Sequence, residues 1–455
     1  MKNFFSGWRY LWKSADIRKK LLITLGILVI YRLAANIPVP GINAQALKEL
    51  ITMLRGQGTF VDFLDLLSGG TVSRFSLLAM GVYPYITAQI VLQVLVPIFP
   101  SLQRKMEEDP REGRKWMEKW TYYLAIPMAL LSAIGQINTF NSLAQTQVVA
   151  FGFTKELWLS SLTLLFAMVG GTMFAIWLGE LISEYGIRGQ GLSLIIFAGI
   201  VARMPASFGR IWADEQYRWI LLVTMLVVMI FTIFVIVYVQ QGRRNVPVMY
   251  PGRRVGNRMS MPVKGTLPLM VNMAGMIPLI FASAFLQFPV LLAALFFRSG
   301  NARVVETAQK IQSLFNGAGP KAWLYWVLYF VLVVVMTYFY TDVIFMQQNY
   351  GENLKRVGAQ IPGVNRGEPT QKYLTRVLRR ITLPGALMLG FVSILPFLLG
   401  ILLQASGISA ASSSAGIFLV SSAGLLIVVG VVRDTFMAID AELKIHGYEE
   451  SLLVR

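Results

Sequence analysis

An all-α polytopic membrane protein with ten transmembrane helices is the fold class this sequence predicts, and three observations predict it. The chain of 455 residues is 55% hydrophobic and only 14% charged, with a mean hydropathy of +0.59, values that exclude a water-soluble domain. Ten apolar runs are long enough to cross a hydrocarbon core of roughly 30 Å. They lie at about 21–38, 76–97, 120–137, 158–179, 191–206, 219–240, 271–297, 322–346, 382–404 and 413–432. Lys and Arg also segregate: with both termini on one side, that side holds 29 of the 41 and the other side holds 10, which places both termini in the cytoplasm.

The elements follow in chain order. Residues 1–20 set Phe4, Phe5, Trp8, Leu11 and Trp12 against Lys and Arg, with no signal-peptide cleavage site, and read as an amphipathic segment on the inner membrane surface. After the first span comes a stretch unlike an ordinary anchor. Phe60, Phe63, Leu64 and Leu67 recur at helical spacing around Asp62 and Asp65, yet the segment is too short to cross before Gly69 and Gly70 break it. A half-helix at membrane depth persists only where it is buried in protein or lines a watery cavity, so this segment predicts a pore-like interior. Gly186, Gly189 and Gly191 read as a tight turn into the short fifth span, because they follow a membrane span and lack the GxGxxG order of a nucleotide loop. Two loops on the cytoplasmic side are long and basic. Residues 241–269 hold Arg243, Arg244, Arg253, Arg254, Arg258 and Lys264 with no acid, and residues 347–381 hold seven basic groups against two acidic. Connections of that length can project from the membrane, although the positive-inside rule alone accounts for their charge.

The chemistry that is missing narrows the function. GxxxxGK[ST], HExxH and GxSxG are all absent, the single histidine, His446, lies in the tail at 433–455, and there is no cysteine. The sequence therefore predicts no enzyme, no cofactor and no metal. Coupled transporters carry ionisable groups within their spans, whereas Glu180, Asp342 and Asp434 all fall at predicted cytoplasmic ends. The mid-membrane polar groups are neutral: Thr87, Gln89, Gln93, Asn272 and Gln287. Each taken alone is as well explained by bonding to a neighbouring helix. A secondary transporter for a small solute is the rival reading, favoured by ten spans and broken helices and disfavoured by the lack of mid-span charge.

Several long strings, in order along nearly the whole chain, resemble the SecY family of bacterial protein-conducting channel subunits. They are IPVPGIN (37–43), LSGGTVSRFSLLAMGVYPYITAQI (67–90), GTMFAIWLGE (171–180), LSLIIFAGIVA (192–202), LPLMVNMAGMIPLIFA (267–282) and ENLKRVGAQIPG (352–363). The resemblance implies two halves of five spans, 21–206 and 207–432, related by inverted pseudo-symmetry around an hourglass pore that opens sideways to lipid. It implies a plug at 60–74, carrying Phe60, Phe63, Leu64, Leu67, the hinge Gly69 and Gly70, and Arg74. The pore ring falls on Val82, Ile86, Leu192, Ile196, Ile280 and Ile427, aliphatic side chains suited to gating by dewetting. Any one of them alone is ordinary core packing, and the joint match singles them out. The second and seventh spans resemble a lateral gate, with Thr87, Gln93 and Asn272 along its seam.

The family further implies small membrane subunits resembling SecE and SecG, a SecA ATPase or a ribosome as driver, signal peptides and nascent chains as cargo, and the bacterial plasma membrane as location. Arg243, Arg244, Arg253, Arg254, Arg258, Lys355, Arg356 and Arg366 become docking residues, seven guanidinium forks and one ammonium that suit phosphate or acidic surfaces. In the family pattern an arginine stands two residues after the Pro-Gly of the last loop. Here that place is Asn365, and Arg366 follows it.

Overall fold

The computed structural model describes residues 15–54, 71–99 apart from 73, 101–102, 110–144, 147–152, 154–155, 157–212, 215, 218–251, 254–255, 258–259, 263–275, 277–296, 302–315, 322–405, 424 and 427–442. Helices dominate. They are α1 (Ala15–Ala34), α2 (Ala44–Leu54), α3 (Tyr83–Ile98), α4 (Pro110–Leu143), α5 (Trp158–Tyr185), α6 (Gly191–Trp212), α7 (Arg218–Gln241), α8 (Ile277–Leu295), α9 (Ala302–Leu314), α10 (Ala322–Gln348), α11 (Tyr350–Arg356) and α12 (Glu368–Ala405). A last helix, α13, covers residues 427–442. The first nine expected spans each fall on one of these helices, and the described part of α13 overlaps the end of the tenth and runs on into the segment expected as a tail.

Boundaries shift for local reasons. The second span begins at Tyr83 and not near 76, because Phe75 and Gly81 adopt positive φ of 44° and 53° and residues before Tyr83 form turns. Pro84 then opens the helix, where its missing N–H costs no hydrogen bond. The ninth span starts earlier than its apolar run. At 38 residues α12 is about 57 Å long, far beyond the hydrocarbon thickness, so its first turns extend out of the membrane.

The loop at 241–269 contains strands that the apolar pattern did not announce. β1 (Arg243–Tyr250) pairs antiparallel with β4 (Val263–Met270), and short β2 (Arg254–Val255) pairs with β3 (Arg258–Met259) nearer the tip. Val246 and Val248 alternate inward from β1 and meet Leu269, Phe345, Leu354, Ile361, Leu374 and Leu378 in a compact core. Met249 and Gln360 exchange both backbone hydrogen bonds, at 2.8 and 2.9 Å, so the two basic loops form one folded unit.

Within the bundle, α1 packs on α5 and α6, and α10 packs on α8 and α12. α4 packs on α3 and α5 and also reaches across to α8. At the start of α1, the Lys20 ammonium pairs with Asp16 at 3.0 Å and with Glu442 on α13, and the Glu442 carboxylate holds its pKa above the usual lysine value.

Candidate functional site

Most of the expected plug, Phe60, Phe63, Leu64, Leu67, Gly69 and Gly70, lies outside the described residues. The turn from Thr71 to Leu78 is firmly built. The Thr71 hydroxyl donates to the Leu78 carbonyl at 2.8 Å, Ser76 N–H to the Thr71 carbonyl at 3.0 Å, and Val39 N–H to the Phe75 carbonyl at 3.1 Å. Phe75 is fully buried and meets Phe140 edge to face at 5.2 Å. Arg74 is exposed and reaches the Asn36 side chain.

The same turn rests against α5 through a glycine. A β-carbon built on Gly171 would stand 2.0 Å from the Leu77 carbonyl oxygen, a collision with backbone that no side-chain rotation relieves. We therefore expect Gly171→Ala to lower the thermal midpoint of the purified protein, by an overpacking cost of about 1–3 kcal/mol or more. The adjacent Gly170→Ala, with nothing within 4 Å of the added carbon, is expected to melt like the parent. Equal melting of the two variants would contradict this packing.

The ring candidates come from four helices. Val82 and Ile86 sit one turn apart at the start of α3, and Leu192 and Ile196 one turn apart at the start of α6. Ile427 opens α13. These five share one apolar core, in which Val82, Ile196 and Ile427 are buried and Ile86 and Leu192 are partly so. Ile280 is buried on α8 but outside that cluster. Leu192 also leans on α5, where a β-carbon on Gly179 would lie 2.8 Å from its Cδ2.

The seam candidates behave differently from the interhelical bonds expected of them. The Thr87 hydroxyl donates to Pro84 of its own helix at 2.9 Å, and the Asn272 amide donates to Gly275 in its own turn at 3.0 Å. Only Gln93 crosses between helices, within hydrogen-bonding reach of the Tyr340 hydroxyl on α10. The Gln93 and Asn272 carbonyl oxygens are buried and find no partner among the described residues. Each unmet bond of that kind costs about 1–3 kcal/mol. A close packing contact between α4 and α8 lies outside what sequence reading finds. Gly135 of α4 faces Leu291 of α8, where an added β-carbon would lie 2.9 Å from Cδ2 and 3.4 Å from the Leu291 carbonyl. Gln136, next to Gly135, and Gln287, one helical turn before Leu291, are buried with atoms unpartnered among the described residues.

The basic candidates gather on the hairpin unit. Arg243 and Arg244 are exposed on β1, Lys355 and Arg356 are exposed on α11, and Arg366 is exposed on the turn before α12. Arg254 and Arg258 lie on β2 and β3, while Arg253 falls outside the described residues. The turn carrying Arg366 is a defined structure. Val364 N–H donates to the Ile361 carbonyl at 3.1 Å, Gly363 and Gly367 hold φ of +78° and +88°, and the Thr370 hydroxyl donates to the Asn365 carbonyl at 2.7 Å. Two glycines in the left-handed region are what give the one-residue-shifted arginine its place at the tip.

A helical bundle of long apolar spans, broken-helix turns packed within it and a basic folded unit on one end defines a polytopic membrane protein of the channel type. The SecY family model matches residues 76–436, and the chain belongs to the SecY family. It is 33% identical over 445 residues to the protein translocase subunit SecY of Streptomyces galbus, covering 96% of this chain and 97% of that protein. The protein of the same name from Mycobacterium bovis is 35% identical over 443 residues, covering 96% and 97%. That from Vibrio cholerae serotype O1 is 33% identical over 443 residues, covering 96% and 94%. Two solved structures share the fold. One, described as a protein conducting channel, superposes with a TM-score of 0.61 at 17% identity over 97% of this chain and 94% of that one. The other, a SecY protein whose plug domain stabilises the closed state of the translocation channel, gives 0.60 at 18% identity over the same shares. The rival reading as a small-solute transporter is not favoured by these likenesses.

Proposed function

We propose that this chain is the pore subunit of a protein translocase, passing unfolded secretory chains across the bacterial plasma membrane and releasing hydrophobic segments sideways into lipid. What supports this reading is a set of aliphatic side chains on separate helices, Val82 and Ile86 at the start of α3, Leu192 and Ile196 at the start of α6 and Ile427 on α13, all part of the bundle's apolar core. Ile280 supplies the contribution of α8, and the six together form a constriction that resists ions by dewetting yet deforms around an extended chain. The segment at 60–74 closes the outer side and pivots at Gly69 and Gly70, upstream of the pinned Thr71. The seam between α3 or α4 and α8 is the lateral exit. Gly135 against Leu291 shuts it by shape, and unmet polar atoms keep it from being too stable to open. An entering helix with apolar residues at its centre gains about 0.3–0.6 kcal/mol for each on partitioning, while a central charge costs about 2.5–3.5, so only apolar segments leave through the seam.

The pore does no chemistry of its own. Work comes from a partner ATPase resembling SecA, from a translating ribosome or from the membrane potential, and small subunits resembling SecE and SecG complete the assembly. Both termini and the basic unit at 241–269 and 347–381 face the cytoplasm.

The test is reconstitution of the purified chain, with whatever small subunits accompany it, into vesicles supplied with a SecA-type ATPase, ATP and an unfolded secretory protein. Protease-protected product that depends on ATP supports the reading. Vesicles that take up small solutes and protect no polypeptide would contradict it.

A further inference from the structure

The cleft between α10 and the first turns of α12 has a volume of about 890 Å³ and is rich in cations: Lys372, Arg376, Arg379 and Arg380 all line it. Two of the four are already engaged. Lys372 pairs with Glu368 at 2.7 Å, and Arg379 grips Asp342 of α10 with two nitrogens, at 2.8 and 3.2 Å from the same oxygen. Arg376 and Arg380, one helical turn apart, are exposed and have no partner among the described residues. Lining cations outnumber Glu368 and the adjoining Asp342, so the mouth of the cleft carries surplus positive charge on guanidinium forks that match phosphate.

The surface beneath those arginines decides the ligand. The face of α12 that carries Arg376 and Arg380 continues through Leu383, Leu387 and Phe391, all exposed, and α10 exposes Val331 and Val335 along its own length. Tyr338, an amphipathic ring of the kind that sits at membrane boundaries, lines the cleft between the charged and apolar levels. A charged mouth above an apolar lane fits a headgroup with acyl chains, whereas free phosphate leaves the lane bare and a water-soluble acidic partner cannot cover it. We infer that this cleft binds an anionic phospholipid, its phosphate between Arg376 and Arg380 and its chains along Leu383, Leu387 and Phe391. Under the proposed orientation of the chain, the lipid comes from the cytoplasmic leaflet. It would brace the α12 extension that follows the Arg366 turn.

The inference is tested without assuming either that orientation or translocation. The full chain, purified in mild detergent with its accompanying subunits, is titrated with dioleoyl phosphatidylglycerol and with dioleoyl phosphatidylcholine, and bound lipid is counted by native mass spectrometry. The parent is expected to prefer phosphatidylglycerol, and the doubly neutral variant Arg376→Gln with Arg380→Gln to lose that preference by roughly tenfold or more. Arg376→Lys with Arg380→Lys should keep most of it, which separates loss of charge from loss of fold. The neutral variant Lys310→Gln on α9 should keep all of it. An unchanged preference in the Gln variant would overturn the proposal, as would complete competition by millimolar inorganic phosphate. A photoreactive group at Leu387 is expected to label lipid. Labelling of a protein subunit in its place would assign the groove to a subunit interface and also overturn it.

Discussion

Replacing Ile86 and Ile280 together with Ser is expected to raise the resting ion conductance of the channel in planar bilayers severalfold. The two side chains come from different helices, α3 and α8, so the double change opens the apolar constriction from two sides. A short stretch of aliphatic surface excludes ions because water has no hydrogen-bonding partner there, and a hydroxyl on each side restores one. Loss of buried aliphatic volume also lowers stability by some kcal/mol. For that reason the comparison is with Ile86→Val and Ile280→Val, which keep the surface apolar at about 0.5–1.5 kcal/mol each and are expected to hold the seal. Unchanged conductance in the Ser variant, with the protein intact by size exclusion, would move the seal elsewhere.

Arg366→Glu is expected to abolish driver-stimulated translocation while leaving assembly with the small subunits normal. Arg366 is exposed at a turn whose shape depends on Gly363 and Gly367, and the substitution touches neither glycine nor the core beneath. Reversing its charge turns attraction for an acidic or phosphate surface into repulsion, an effect on encounter and docking and not on folding. Asn365→Arg, which restores the family's usual placement, should at least retain activity. Normal translocation by Arg366→Glu, together with failure of Lys355→Glu or Arg356→Glu, would move the docking charge to α11.

The spans were legible because each is a long apolar run, and length against bilayer thickness is a one-dimensional property. The hairpin was not, since Arg243, Arg244 and Pro247 leave only Val246 and Val248 to signal alternation along β1. The first turns of α12 read as loop in the sequence because Lys372, Arg376, Arg379 and Arg380 interrupt the apolar pattern while keeping helical spacing. The close approaches between helices and turns were invisible for a different reason. Gly171 against Leu77, Gly191 against Gly179 and Gly135 against Leu291 are contacts between distant segments, and a glycine inside an apolar run does not reveal what will touch it. At the seam, residue type was the readable part. Thr87, Gln93 and Asn272 stood out as polar groups in apolar runs, but that Asn272 falls in the turn before α8, and whether each bonds across the seam or locally, depends on backbone geometry that local sequence does not specify.

The central claim is that an extended polypeptide passes through the aliphatic constriction, and site-specific photocrosslinking tests it most directly. A photoreactive side chain is placed singly at Ile86, at Ile280 and at Phe231, an exposed residue on the outward face of α7. A secretory chain is then stalled midway in reconstituted vesicles and the samples are irradiated. Crosslinks from 86 and 280 to the stalled chain, with none from 231, are the predicted result. Adducts absent from both ring positions, while the stalled chain is demonstrably protected by the vesicle, would contradict it.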